Sequence, residues 1–162
     1  MGAKSANMSR NPDKLDRALL HELQVDGTLT NDQLAERVGL SASAVHRRVQ
    51  HLTAAGIIQR TIAVVDPAKV GRSDQFIVGI EVERERPELV QPLRAWLRAE
   101  DCVQQGYYVT GTADYVLVIS AGDIGAFDQL MSRMMQENSN VRRFTTNVVM
   151  ATIKRGLYVP VD

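Results

Sequence analysis

The side chains best suited to chemistry are concentrated in residues 41–51, where short polar, basic and imidazole groups surround an apolar stripe. On a helix, at about 100° per residue, Ser43, Arg47 and Gln50 point away from that stripe. Short residues on such a face allow close approach to a DNA groove, and Ser, Arg and Gln can bond base edges or phosphates. The segment therefore predicts a DNA-contacting helix, with the candidate residues Ser41, Ser43, His46, Arg47, Arg48, Gln50 and His51.

The residues alone leave two alternatives open for this segment. Arg48 lies beside the apolar stripe, where it suits either a phosphate contact or a brace between helices. The polar face as a whole also fits the solvated surface of an ordinary three-helix domain. Its local positive charge favours double-stranded DNA as the partner, although the formal net charge of the whole chain is zero.

The histidines do not have the arrangement of metal ligands. His46 and His51 are five residues apart, so their side chains diverge by about 140° around a helix. His21 belongs to another predicted helix, and no Cys or acidic cluster joins the three. We expect no metal, no cofactor and no catalytic centre.

Three predicted helices position the candidate DNA face. A leucine at every fourth position predicts the first helix over residues 13–25. A capping-box pair, Thr30 and Gln33, opens the second helix, and a Gly-containing turn at residues 39–41 separates it from the third, which ends at Gly56. Two helices joined in this way, the second with a polar outer face, are typical of a helix-turn-helix.

Beyond the helices, the periodicity becomes that of strands alternating with helices. Its order, β-α-β-β-α-β, predicts a four-stranded antiparallel sheet with both helices on one face. The predicted strands cover the alternating residues 76–82 and the segments 102–110, 115–121 and 141–154, and the helices cover 87–100 and 123–137, with Ile124 among the buried residues. The fold class is thus α+β, with an N-terminal winged or helix-turn-helix three-helix domain.

Composition and breaker residues divide the chain into four parts. We expect a flexible arm at residues 1–12, a DNA-binding domain at 13–60, a linker at 61–73 that begins in an extended segment over 58–65, and a second domain at 74–162.

Charge and cysteine content narrow the class of protein. Residues 1–60 contain eight Lys or Arg against six Asp or Glu, and residues 61–162 contain eleven against thirteen. The single cysteine, Cys102, excludes an intrachain disulfide and fits a reducing compartment.

No run reaches the roughly 18 apolar residues of a membrane span, and the first residues lack the apolar centre of a secretory signal. We expect a cytoplasmic protein without membrane contact.

The predicted sheet has apolar residues on both faces. Segments 115–119 and 148–151 are apolar at odd and even positions alike. A sheet covered by helices on one face only is expected to be polar on the other. A partner subunit is therefore predicted to cover the second face.

The loop at residues 111–114 is a candidate ligand site. Gly111 lets a ligand approach the backbone, free amides in such a turn can bind a carboxylate, and Asp114 can accept hydrogen bonds from an ammonium group. The two ends of an α-amino acid would then be recognised. A simple β-turn, in which Gly and Asp are only turn residues, is the alternative.

In combination, these motifs resemble the Lrp/AsnC family of bacterial and archaeal transcriptional regulators, from about Leu15 to Val159. The resemblance implies an N-terminal DNA-binding domain and a C-terminal ferredoxin-like domain that senses small molecules, usually amino acids, in homodimers that assemble into octamers or other rings. The matching segments are Leu15-Asp16, Gly39-Leu-Ser41, Val45, Arg48-Val49, Leu52, Gly56-Ile-Ile58, Gly111, Asp114-Tyr115 and Thr146-Asn-Val-Val-Met150.

The resemblance also implies which residues hold the effector. They are Gly111, Thr112, Ala113 and Asp114 of the loop, with Val148 and Val149 of the last strand supplied by a neighbouring dimer. Family members often carry an acidic and then an aromatic residue where this chain has Thr112 and Ala113. The departure predicts a wider pocket or a looser wall.

Two other functions remain as alternatives. Haem-pathway decarboxylases resemble the family and share its two-domain layout, but they should need His or Arg groups to grip propionates. Here the C-terminal domain has no histidine, and its Arg142-Arg143 pair lies just inside the last strand. An architectural protein that wraps DNA without an effector would use the same assembly as a regulator.

Overall fold

The computed structural model describes residues 11–161. Except for Asn11 and Pro12, which precede the first helix without regular structure, the expected N-terminal arm lies outside the described residues. The chain divides into two compact units, which are considered separately. Val65–Ile153 forms one unit, and the segments on either side of it, up to Val64 and from Lys154, form the other.

The first unit contains three helices: α1 (Lys14–Val25), α2 (Asn31–Val38) and α3 (Ala42–Ala54). Each begins after a residue whose side chain accepts a hydrogen bond from the free amides of the first turn. Asp13 caps α1 and Ser41 caps α3, while Thr30 and Gln33 form the expected capping box of α2. The core between the helices is built on the buried residues Leu19, Leu34, Ala35 and Val45.

The segment from Lys154 to Val161 belongs to this helical unit, whereas the sequence assigned it to the second domain. Tyr158 Oη lies 2.7 Å from His21 Nδ1 on α1. The Gln24 side chain pairs with both backbone groups of Val159, at 3.0 and 2.7 Å. These polar contacts with α1 bring the end of the described chain back to the first helix.

The second unit has the predicted βαββαβ order. Its elements are β1 (Asp74–Val82), α4 (Pro87–Ala99), β2 (Val103–Tyr108), β3 (Tyr115–Ala121), α5 (Ile124–Glu137) and β4 (Val141–Val148). The strands lie in the order β2-β3-β1-β4, and every neighbouring pair is antiparallel. The strand expected to run to Lys154 ends at Val148.

One face of this sheet packs against both helices. Alternate β1 residues, Phe76, Val78 and Ile80, are at most 1% exposed and contact the apolar sides of α4 and α5. The Phe76 and Phe127 rings are stacked at 3.9 Å between centroids. The expected burial of Ile124 is wrong. As the first residue of α5 it is 65% exposed, before the helix reaches the core.

The connection between the units contains no strand among residues 57–73. The segment predicted to be extended, 58–65, is mostly exposed and forms no ladder, and a short 3-10 turn follows at Ala68–Val70. No helix within residues 11–161 has the length and apolar character that crossing a membrane requires.

Candidate nucleic-acid interface and effector loop

The position of α3 follows from the short turn that precedes it. Gly39 ends α2 in the left-handed region, at φ 69°, where a side chain is strained and glycine is not. Ser41 then accepts a hydrogen bond from the Ala44 amide at 3.3 Å, which satisfies a donor of the first turn of α3. The two helices are thereby joined through three residues.

The two faces of α3 differ sharply in exposure. Val45 is buried against α1 and α2, and Leu52 is buried two turns further along α3. The opposite side is free of acidic groups, since α3 contains none. Six of the predicted DNA contacts are exposed on or beside that side of α3. They are Ser41, which precedes the helix, and Ser43, His46, Arg47, Gln50 and His51. These side chains form the candidate DNA face.

Arg48 does not belong to the candidate DNA face. Its Nη1 lies 2.9 Å from Asp13 Oδ2 and 2.7 Å from Asp16 Oδ1, so α3 is tied to the start of α1. Of the two roles that the sequence left open, the structure shows the interhelical brace.

Asp13 and Asp16 have roles that sequence reasoning missed. The Asp13 carboxylate accepts hydrogen bonds from the Leu15 and Asp16 backbone amides, and the Asp13 amide donates one to Asp16 Oδ2, forming a capping box. The Asp16 amide and then Arg48 lower the pKa of Asp13 to about 2. The spacing of two aspartates three residues apart at the start of a helix could have predicted the capping box. No feature of the neighbouring sequence indicates that Arg48 is their partner.

The three histidines have different surroundings. His46 Nδ1 lies 3.5 Å from the side-chain nitrogen Nδ2 of Asn31. His21 contacts Tyr158. Within residues 11–161, no group of three His, Cys, Asp or Glu side chains has the geometry to hold a metal ion.

The candidate effector loop closes the hairpin between β2 and β3. The Val109 amide donates to the Asp114 carbonyl, and the Asp114 amide donates to the Ile80 carbonyl, both at 2.9 Å. Gly111 adopts φ 129°, which favours glycine. Gly111 and Thr112 are exposed, and Ala113 is half-buried.

The Asp114 carboxylate is already partly engaged. Its Oδ2 accepts a hydrogen bond from the Val82 amide at 2.7 Å, which holds the loop against β1. Among the described residues no hydrogen-bond partner is found for its Oδ1.

Val148 and Val149 lie far from this loop within one chain. Ile80 of β1 pairs with Tyr115, next to the loop, whereas Phe76 pairs with Val148. Four residues of strand separate the two positions, a distance of roughly 13 Å. Val148 is 52% exposed. The predicted effector residues therefore fall into two groups that a single chain does not bring together.

The chain combines a three-helix unit, whose third helix has an exposed side without acidic residues, with a βαββαβ unit that contains a structured loop. These are the parts of a DNA-binding regulator with a ligand-binding domain. Residues 12–59 match the model of the winged helix-turn-helix DNA-binding family. Residues 75–159 match the model of the Lrp/AsnC ligand-binding domain.

This chain belongs to the Lrp/AsnC family of transcriptional regulators. It is 37% identical over 150 residues to an uncharacterized HTH-type transcriptional regulator of Sinorhizobium fredii, covering 93% of this chain and 89% of that one. It is 32% identical to the leucine-responsive regulatory protein of Salmonella typhimurium, covering 89% of this chain and 88% of that one.

A solved structure shows the same fold. A transcriptional regulator of Neisseria meningitidis, crystallised in complex with L-methionine, superposes with a TM-score of 0.86. The two are 29% identical, and the match covers 93% of this chain and 97% of that one.

Proposed function

We propose that this regulator recognises specific DNA sequences through Ser43, Arg47 and Gln50, flanked by Ser41, His46 and His51. The main support for this proposal is that one side of α3 is exposed and contains no acidic residue. Arg48 holds the helix against α1 through its contacts with Asp13 and Asp16. Because Arg48 is engaged in this brace, it contributes to DNA binding by positioning α3. Arg47 remains as the exposed arginine in the middle of the helix.

The functional unit is a homodimer in which two copies meet at the open faces of their sheets. Cross-strand pairing places the residues of this face in rows, each with one residue from every strand. One row contains Tyr107, Val116, Gly79 and Thr145, and the next contains Gln105, Val118, Ile77 and Asn147. The centre of these rows is apolar and the margin is polar, as in interfaces between subunits. Two α3 helices in such a dimer would reach successive major grooves about 34 Å apart, which favours a pseudo-palindromic site.

The effector is a small molecule of the amino-acid class, bound between dimers in an octamer or another ring. The Gly111–Asp114 loop supplies backbone amides and one free carboxylate oxygen, and Val148 and Val149 of another subunit supply the apolar wall. The separation of these two groups within one chain supports a shared site. The L-methionine complex of the Neisseria regulator supports the ligand class. The ligand acts through its different affinity for two assembly states.

Selection from a randomised duplex library tests the proposal. We expect the wild-type protein to enrich two related half-sites spaced by about one helical turn. Library enrichment without any common sequence, together with strong salt-dependent binding to random DNA, would instead indicate the architectural alternative. Membership in a family of transcriptional regulators favours the regulator over the decarboxylase-like enzyme.

A further inference from the structure

A groove of about 510 Å³ lies in the second unit between α4 and the edge strand β2. It is bordered by Arg94, Leu97 and Arg98 on the helix and by β2 on the other side. Gly106 faces the helix layer at this point, because it pairs with the buried Leu117. The missing side chain keeps the groove open, and a Cβ there would lie 3.3 Å from Leu117 Cδ2.

Arg94 is held in a fixed orientation within this groove. Its Nε donates to Tyr115 Oη at 3.0 Å, and its guanidinium carbon lies 5.2 Å from the centre of the Tyr108 ring. This cation–π contact and one hydrogen bond orient the guanidinium group, and within residues 11–161 its terminal amino groups have no hydrogen-bond partner. The guanidinium is therefore prepared for an acceptor that the chain itself does not provide.

Neither arginine of the groove has an acidic partner. Arg37, Arg48, Arg133 and Arg143 all contact carboxylates within 4.0 Å, whereas no ion pair joins Arg94 or Arg98 to any of the residues 11–161. A negative charge acts at one end of the groove, where Glu85 raises the pKa of Tyr108. That charge directs an anionic group away from Tyr108 and towards Arg98.

We propose that this groove is a second ligand site, which takes a small organic carboxylate with an apolar body and no ammonium group. Two guanidinium groups one helical turn apart suit a carboxylate, which can accept parallel hydrogen bonds. Leu97, Val103 and the Tyr108 ring provide an apolar lining for the rest of the molecule. An ammonium group beside two arginines would be repelled, so the site differs in chemistry from the loop at Gly111–Asp114.

Calorimetric titration with phenylacetate tests the site, with 2-phenylethanol as the neutral analogue and L-phenylalanine as the amino acid. We expect phenylacetate to bind and 2-phenylethanol not to bind. Arg98→Gln should weaken binding by roughly tenfold, the loss of one charged hydrogen bond. It leaves the Arg94–Tyr115 contact intact, so the fold is preserved. Arg142→Gln, at an exposed arginine of β4, is the matched control and should bind as the wild type does.

Three results would overturn the proposal. They are no measurable binding of phenylacetate, equal binding by wild type and the Arg94→Gln/Arg98→Gln double variant, or full displacement of phenylacetate by L-phenylalanine. The titration uses no DNA, so its outcome is independent of the proposed DNA recognition.

Discussion

Arg48 of α3 and Asp16 of α1 are joined by a 2.7 Å contact between Nη1 and Oδ1, with 28% and 10% of their side chains exposed. The contact spans two helices, and Asp16 also belongs to the capping box of α1. One carboxylate thus stabilises the beginning of α1 and sets the position of the candidate DNA-contacting helix.

Replacing Arg48 tests this brace. Arg48→Met keeps the aliphatic length and removes the charge, so we expect the free energy of unfolding to fall by about 1 kcal/mol, the upper range for a solvent-screened pair. DNA affinity should fall as well, because α3 loses its tie to α1. Chemical denaturation and DNA titration of the same sample measure both effects. Unchanged stability with weakened DNA binding would instead indicate a direct phosphate contact.

Acid should weaken the other contact of this brace, between Arg48 and Asp13. The pKa of Asp13 is lowered from 3.8 to about 2 in the folded chain. The unfolded state therefore binds the proton more readily, and the stabilisation that is present above pH 4 is lost as the pH falls towards 2. Urea melts followed by circular dichroism should show this loss in the wild type. Asp13→Asn, which retains a capping side chain, should show a smaller pH dependence over that range.

Arg47 is expected to contact DNA directly. Arg47→Ala should cost about 1–3 kcal/mol in binding to a selected site, because an arginine that bonds a base or phosphate is lost. The exposed Arg142 on β4 provides a control for the loss of one positive charge. Fluorescence anisotropy with selected and random duplexes measures affinity and specificity together. Equal effects of Arg47→Ala and Arg142→Ala would contradict the placement of α3 at the DNA.

Asp114 is expected to recognise the ammonium group of the effector. Asp114→Asn keeps an acceptor for the Val82 amide and removes the charge, so the loop should remain folded. A thermal-shift screen of the twenty amino acids should identify a ligand that raises the wild-type Tm and leaves that of Asp114→Asn unchanged. Asp128→Asn, at an exposed position on α5, should respond like the wild type. A normal response of Asp114→Asn would place the ammonium contact elsewhere.

The open sheet face is expected to form the dimer. Ile77→Lys introduces a charge at the centre of that face, where burial without a partner is costly, so the protein should become monomeric. Light scattering after gel filtration measures the mass. Ile62→Lys alters an isoleucine of similar exposure in the other unit, 48% against 42%, and should leave the mass unchanged. Wild-type mass for Ile77→Lys would exclude this face as the interface.

Much of the architecture was predictable from sequence because it depends on neighbours a few residues apart. Helix caps and apolar repeats involve residues only a few positions apart in the chain. Examples are the Thr30–Gln33 capping box, the alternation through Phe76, Val78 and Ile80, and the two faces of α3. Their order along the chain was also sufficient for the βαββαβ arrangement, since short connections leave few ways to fold it.

The tertiary structure decided what depends on residues far apart in the chain. Arg48 had two plausible roles until folding brought Asp13 and Asp16, 35 and 32 positions away, to its guanidinium group. The return of Tyr158 to His21 and the separation of Val148 from Asp114 likewise follow from packing and strand register. Sequence patterns report which side of an element an amino acid occupies, whereas its partner is selected only when the elements pack together.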